Sequence, residues 1–170
     1  WNSRGLPRID IGIGLNSGAV SVGNMGSEVR FDYTVMGDTV NLGARLEALT
    51  KEYRAKILMG EATATAAGDG FVLRELDMVR VKGRGGSVRV FELLGEAGDA
   101  AYDAAELGAW DDALASYRAR DWTAAGTAFA GWLARRPDDG AAQVMVERIG
   151  WLTANPPGDD WDGVYEQRSK

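Results

Sequence analysis

Asp32-Tyr-Thr-Val-Met-Gly-Asp-Thr-Val-Asn-Leu-Gly-Ala-Arg-Leu-Glu47 holds a complete passage from strand to helix. From Arg30 to Met36, the aromatic and β-branched residues Phe31, Tyr33, Thr34 and Val35 suit a pleated strand. Gly37-Asp38 breaks that pattern and places Asp38 to cap a helix running to about Tyr53. Leu42, Leu46 and Leu49, spaced four and three apart, supply the buried stripe of this helix. Asn41 and Arg45, also four apart, project together from another face. A helix N-terminus favours anions, and a guanidinium offers a rigid fork to phosphate oxygens. The same pair also fits a polar first turn in which Arg45 meets a nearby carboxylate.

Upstream of this passage, Ile9, Ile11, Ile13 and Leu15 alternate with Asp10, Gly12, Gly14 and Asn16. The period of two predicts a strand from Arg8 to Leu15 with one apolar face. Its other face carries two glycines, where something can approach the backbone closely. Asn16-Ser17-Gly18 marks a turn, Ala19 to Gly23 is expected to return as the second strand of a hairpin, and Gly23 to Ser27 reads as a loop. Downstream, a short strand from Lys56 to Met59 precedes a brief Ala/Thr helix that starts at Gly60-Glu61 and ends at Gly68 to Gly70. Strands from Phe71 to Val81 and Ser87 to Leu94 flank the loop Lys82-Gly-Arg-Gly-Gly86.

In that loop the glycines admit a ligand to the backbone, and Lys82 and Arg84 suit a polyphosphate. A hairpin loop with solvated charges fits equally. The loop lacks the Walker spacing. The Gly14-Leu-Asn-Ser-Gly18 stretch is not a nucleophile elbow, and no histidine exists to activate Ser17. Strands interleaved with helices and returning hairpins predict an α/β or α+β sandwich, with a helix layer on one face of a sheet.

The chain of 170 residues contains no cysteine and no histidine. Thiolate chemistry, Cys-based zinc sites and Ser-His-Asp triads are therefore excluded. Residues 1–95 carry a net charge of +1 and residues 96–170 a net −7, which together make the overall −6. That asymmetry predicts a boundary near Gly95. The acidic half reads as a soluble tail, and the net-negative chain argues against a nucleic-acid partner. No apolar run approaches the roughly 20 residues that span a bilayer, so this region is not expected to enter a membrane. The opening at Trp1 without a Met reads as an excerpt of a longer protein.

Residues 96–170 show helical patterns over Asp111–Tyr117, Trp122–Arg135 and from Pro137-Asp-Asp139 to about Leu152. Trp122, Ala125, Phe129 and Trp132 share one face. The arrangement resembles a single tetratricopeptide-type helix pair. One such unit cannot bury its own face, so it is expected to pack on the preceding domain or on a partner.

Taken jointly, Ile11-Gly-Ile-Gly-Leu-Asn-Ser-Gly18, Val22-Gly-Asn-Met-Gly-Ser27, the 32–47 passage and Val81-Lys-Gly-Arg-Gly85 resemble the class III adenylate/guanylate cyclases. The resemblance runs in order over residues 8–94. Asn16 departs from a frequent His and Gly43 from a usual Ala. The resemblance implies the C-terminal two-thirds of a ferredoxin-like α/β catalytic domain over residues 1–95, followed by an all-helical extension over residues 96–170.

It further implies conversion of ATP to 3′,5′-cyclic AMP and pyrophosphate in bacterial signalling. Arg45 would stabilise charge on the α-phosphate and Asn41 would orient the ribose. Thr34 would contact the purine, and Lys82 (or Arg84) would grip the terminal phosphates. Two Mg²⁺ or Mn²⁺ ions are expected on aspartates upstream of Trp1, with no metal ligand in this chain and no activity from it alone. A head-to-tail homodimer with shared sites is implied, in a cytoplasmic domain whose parent protein is anchored in the bacterial inner membrane. A guanylate cyclase and an inactive nucleotide-binding or dimerising module are the alternatives.

Overall fold

A computed structural model describes residue 5 and residues 10–27, 30–80, 86–98 and 101–166. Seven strands are described: β1 (Ile13–Leu15), β2 (Ser21–Ser27), β3 (Arg30–Met36), β4 (Ile57–Gly60), β5 (Phe71–Arg80), β6 (Ser87–Glu96) and β7 (Tyr165–Glu166). The helices are α1 (Asp38–Tyr53), α2 (Glu61–Ala67), α3 (Ala104–Arg118), α4 (Trp122–Arg135) and α5 (Gly140–Ala154). One sheet runs in the order β1-β4-β6-β5-β7, and β2 and β3 form a separate pair. The architecture is mixed α+β.

The expected hairpin is displaced by one strand. β1 pairs in parallel with β4, whereas β2 pairs antiparallel with β3, from Ser21 opposite Met36 to Ser27 opposite Arg30. Residues 23–27, expected as a loop, are therefore strand. Their glycines and Asn24 weaken intrinsic β-propensity, and cross-strand pairing with the β-rich Arg30–Met36 segment overrides it.

β1 shows why its glycines matter. A Cβ on Gly14 would strike the backbone of Gly43 and Glu47 and lie 2.9 Å from the Leu46 carbonyl carbon. One on Gly12 would lie 3.0 Å from the Thr50 Cβ. Gly14 thus receives the backbone of α1, and Gly12, just ahead of β1, receives the Thr50 side chain. The other face stays open, with Ile11 72% and Ile13 42% exposed.

α1 spans the expected residues and buries Leu42, Leu46 and Leu49. Its cap differs from expectation. Gly37 occupies the N-cap at φ 143°, a conformation only glycine adopts readily, and its carbonyl accepts from Val40 and Asn41 N–H at 3.1 Å. Asp38 is the first helical residue and makes no side-chain cap. Its charge still lies at the favourable end of the helix dipole.

The three helices of the extension are each capped by an aspartate. Asp103, Asp121 and Asp139 accept from the N–H of Glu106, Ala124 and Ala142 at 2.7, 2.9 and 3.0 Å. The Asp103 cap starts α3 at Ala104 rather than Asp111. Trp110, Phe129 and Trp132 pack edge-to-face, with centroids 4.9 and 5.1 Å from Trp110. The helices of the extension end at Ala154, and after an irregular stretch β7 joins the sheet parallel to β5.

One hydrophobic core runs from Leu42, Leu46 and Leu58 through Leu76 and Val79 to Trp110, Phe129 and Met145. Arg74 of β5 lies inside it, its side chain 3% exposed. Its guanidinium bonds Glu92 at 2.7 and 2.9 Å and Asp139 at 2.7 and 2.8 Å, and lies 4.1 Å from the Trp110 ring centre. Trp132 Nε1 donates to Asp139 at 2.8 Å and Trp110 Nε1 to the Glu75 carbonyl at 2.7 Å.

Removing one partner of a buried ion cluster strands the others. Arg74→Met is therefore expected to cost about 3–5 kcal/mol in urea unfolding. A cost below about 1 kcal/mol would show that the cluster does not hold the extension in place.

The cluster also predicts an acid response. Burial alone would raise Asp139, but hydrogen bonds and charge from Arg74 hold it below its ordinary value. Glu75 is likewise lowered, burial being outweighed by Arg89 and Arg118. Glu92 is raised, chiefly by burial and against the pull of Arg74. Stability from Asp139 and Glu75 is complete above their unfolded values, near 3.8 and 4.5, and is lost as pH falls through their lower folded values. Glu92 acts in the opposite sense, costing stability as pH rises through its folded value. Unfolding series from about pH 6 to about pH 3 should show a shallower acid loss for Asp139→Asn than for the unaltered protein.

Candidate active site

β3 enters α1 through Gly37 and packs against it. This brings Thr34 on the strand close in the chain to Asn41 and Arg45 in the first two turns of the helix. Asn41 is exposed, while Arg45 and Thr34 are half-buried. Among the described residues, neither Asn41 nor Arg45 makes a side-chain hydrogen bond or an ion pair. A polar first turn with Arg45 held by a carboxylate is therefore not what these residues form. The amide and guanidinium stand four apart on one helix face, unengaged and open to an anion. Thr34 lies opposite Gly23 in the β2–β3 register.

The amino end of α1 is tied to the segment after β1. Asn16 Nδ2 donates to the Thr39 carbonyl and Thr39 Oγ1 to the Ala19 carbonyl, both at 2.9 Å. These two residues orient the helix that bears Asn41 and Arg45, and sequence reading assigned them no such part. In the sequence Asn16 stands out as a turn residue and as a departure from the family pattern. Its amide here does a positioning task that needs a donor at that spot.

Lys82 and Arg84 lie outside the described residues. β5 ends at Arg80 and β6 begins at Ser87 on either side of them. Among the described residues, no group of three or more carboxylates converges to hold a metal ion. Nor is any helix among them long and apolar enough to cross a membrane.

A cleft of about 560 Å³ opens between α2, α3 and the β5–β6 face, lined by Glu61, Glu75, Arg89, Phe91, Asp111 and Arg118. Its arginines are already matched. Arg89 pairs with Glu75 and, at 3.0 Å, with Glu61, and Arg118 pairs with Glu75. None of Thr34, Asn41 or Arg45 lines it. The anion-ready groups are on α1, not in this cleft.

A family model described as the adenylate and guanylate cyclase catalytic domain matches residues 2–95. The chain belongs to that family, whose members use divalent metal ions. It is 41% identical over 92 residues to an adenylate cyclase of Anabaena cylindrica, covering 52% of this chain and 18% of that protein. It is 40% identical over 89 residues to a terminal-differentiation-specific adenylate cyclase of Dictyostelium discoideum, covering 51% of this chain and 4% of that protein. The chain thus spans less than a fifth of either relative. The crystal structure of the adenylyl cyclase CyaB from P. aeruginosa superposes with a TM-score of 0.48 at 31% identity, covering 55% of this chain and 47% of that one.

Side chains that lie outside the core and make no polar contact carry little stability. Asn41→Ala and Arg45→Ala are each expected to shift unfolding by no more than about 0.5 kcal/mol. A loss beyond about 1.5 kcal/mol from Arg45→Ala would reveal a structural ion pair.

Proposed function

We propose that this domain serves an adenylate cyclase, which converts ATP to 3′,5′-cyclic AMP and pyrophosphate. The ribose 3′-hydroxyl loses its proton as its oxygen bonds the α-phosphorus, and the bond from that phosphorus to the bridging oxygen breaks. Arg45 neutralises charge gathering on the α-phosphate, and Asn41 orients the ribose. Thr34 meets the purine, and Lys82, or Arg84, grips the terminal phosphates. The observation that carries this reading is the unengaged Asn41–Arg45 pair on α1, directly after the strand bearing Thr34. Similarity to proteins named adenylate cyclases supports the choice of ATP.

Phosphoryl transfer depends on positioning and charge neutralisation, so no histidine is needed. The ions, two Mg²⁺ or Mn²⁺ in this reading, would be held by carboxylates other than those described here. Residues 1–170 alone would then be inactive. A head-to-tail homodimer is supported by the apolar side chains left open beside α1. Val35, Met36 and Val40 are exposed there, and Ile13 and Leu15 of β1 are also exposed. Use of ATP implies a cytoplasmic site, and a membrane anchor in the parent protein belongs to the same reading.

Guanylate cyclase is the second reading, because the matching family embraces both activities. Turnover of ATP against GTP by the full-length protein with Mg²⁺ or Mn²⁺ separates the two. ATP should be preferred, and Thr34→Cys should move the preference toward GTP. Arg45→Ala should lower kcat by about 10³-fold or more. Activity within two-fold of the unaltered enzyme would remove Arg45 from this role.

A further inference from the structure

We propose that the helical extension is a positioning element of the cyclase site, and that Arg148 is the residue through which it sets α1 against β5. The catalytic consequence rests on the function proposed above; the mechanical one does not.

Arg148 lies on α5 with its side chain 11% exposed. Its guanidinium donates to Asp77 Oδ2 on β5 and, at 3.2 Å, to the Tyr53 hydroxyl on α1. Tyr53 in turn donates to the same Asp77 oxygen at 2.6 Å. Both Tyr53 and Asp77 are completely buried. Burial first, and then the Asp77 charge, raise the Tyr53 pKa well above its ordinary value, so the hydroxyl keeps its proton and remains a donor. The remaining Asp77 oxygen accepts from Met78 N–H at 2.8 Å. The Arg148 guanidinium also lies 3.8 Å from the centre of the Tyr165 ring, on the strand that pairs with Val79 and Arg80. One side chain therefore binds α1, β5 and β7 together.

A second grip lies at the same end of α1. Arg54, in the left-handed conformation at φ 53° after the last helical turn, bonds Glu147 at 2.9 Å and Gln143 at 3.1 Å. A Cβ on Gly140 would collide with the Arg54 carbonyl, so α5 begins directly on this turn.

These contacts bear on the site because of what they join. α1 carries Asn41 and Arg45, and β5 runs toward Lys82, two residues beyond Arg80 in the chain. The apolar stripe of α1 holds it against the sheet but is not directional, so it resists sliding and tilting weakly. A buried, fully bonded carboxylate with a guanidinium and a hydroxyl on one oxygen permits few geometries. Tyr53 is eight residues from Arg45, roughly 12 Å along the axis of a rigid helix. A shift at the carboxyl end of α1 is thus relayed to the guanidinium. Misplacement by about 1 Å from a change far from the chemistry costs about 10²-fold in rate.

The test uses the full-length protein with Arg148→Met and Arg148→Lys. Lysine keeps the charge but reaches only one acceptor and loses the ring stacking. Both variants should speed amide hydrogen exchange across residues 41–49 under conditions where the protein remains folded. In nucleotide turnover, Arg148→Met should lower kcat by about ten-fold or more with KM within about two-fold, and Arg148→Lys should fall between it and the unaltered enzyme. If Arg148→Met fails to fold, Arg148→Lys decides by the same two measurements. Unchanged exchange over residues 41–49, or a fall in kcat that only follows the unfolded fraction, overturns the proposal. An unaltered protein that turns over no nucleotide overturns the proposed function instead, and the exchange measurement still decides the positioning role.

Discussion

The buried Arg74 guanidinium is the constraint around which the two halves of this chain are arranged. It projects from the sheet into a core that would reject a lone charge, and stability follows only when Glu92 and Asp139 close around it. Glu92 comes from the neighbouring strand, but Asp139 arrives from the extension, where it also caps α5 and receives the Trp132 indole N–H. Helix start, aromatic packing and sheet docking thus meet on one carboxylate. Displacing the extension would leave a buried cation with half its partners. The helices beyond residue 96 share the core of the sheet rather than forming a detached module.

Electrostatics across that junction gives the uneven charge of the chain a physical meaning. The acidic residues of the extension read as a means of solubility, yet several are committed to pairs. Asp139, Glu147 and Asp162 face Arg74, Arg54 and Arg80 of the first 95 residues. The pairing also runs the other way, with Arg118 and Arg148 of the extension meeting Glu75 and Asp77. Exposed pairs such as Arg54–Glu147 add little stability singly. The buried ones set orientation, because an ion pair tolerates fewer geometries than an apolar contact.

Around α1 the close approach of backbones decides the local geometry. Gly12 and Gly14 let the helix lie directly on β1, and Gly37 turns the chain from β3 into its first turn. Asn16 and Thr39 then tie that turn in place. The leucine stripe was legible, as were β3, the span of α1 and the two long strands β5 and β6. The pairing of β2 with β3 was not, because a glycine-rich segment carries little strand signal until its partner lies beside it.

Residues 1–95 determined by themselves the family, the α+β class and the spacing that sets Asn41 and Arg45 on one helix face. Those features are local: a period of 3.6 or 2 and a few glycines are written in neighbouring residues. Only the tertiary structure decided that neither Asn41 nor Arg45 is taken up by a described carboxylate, and that Arg74, Asp77 and Arg148 bind the extension to the sheet. The pairs that bind the extension join side chains 65 and 71 positions apart in the chain. Periodicity reports which face of an element is buried. It does not report which charged group on another element will meet it there.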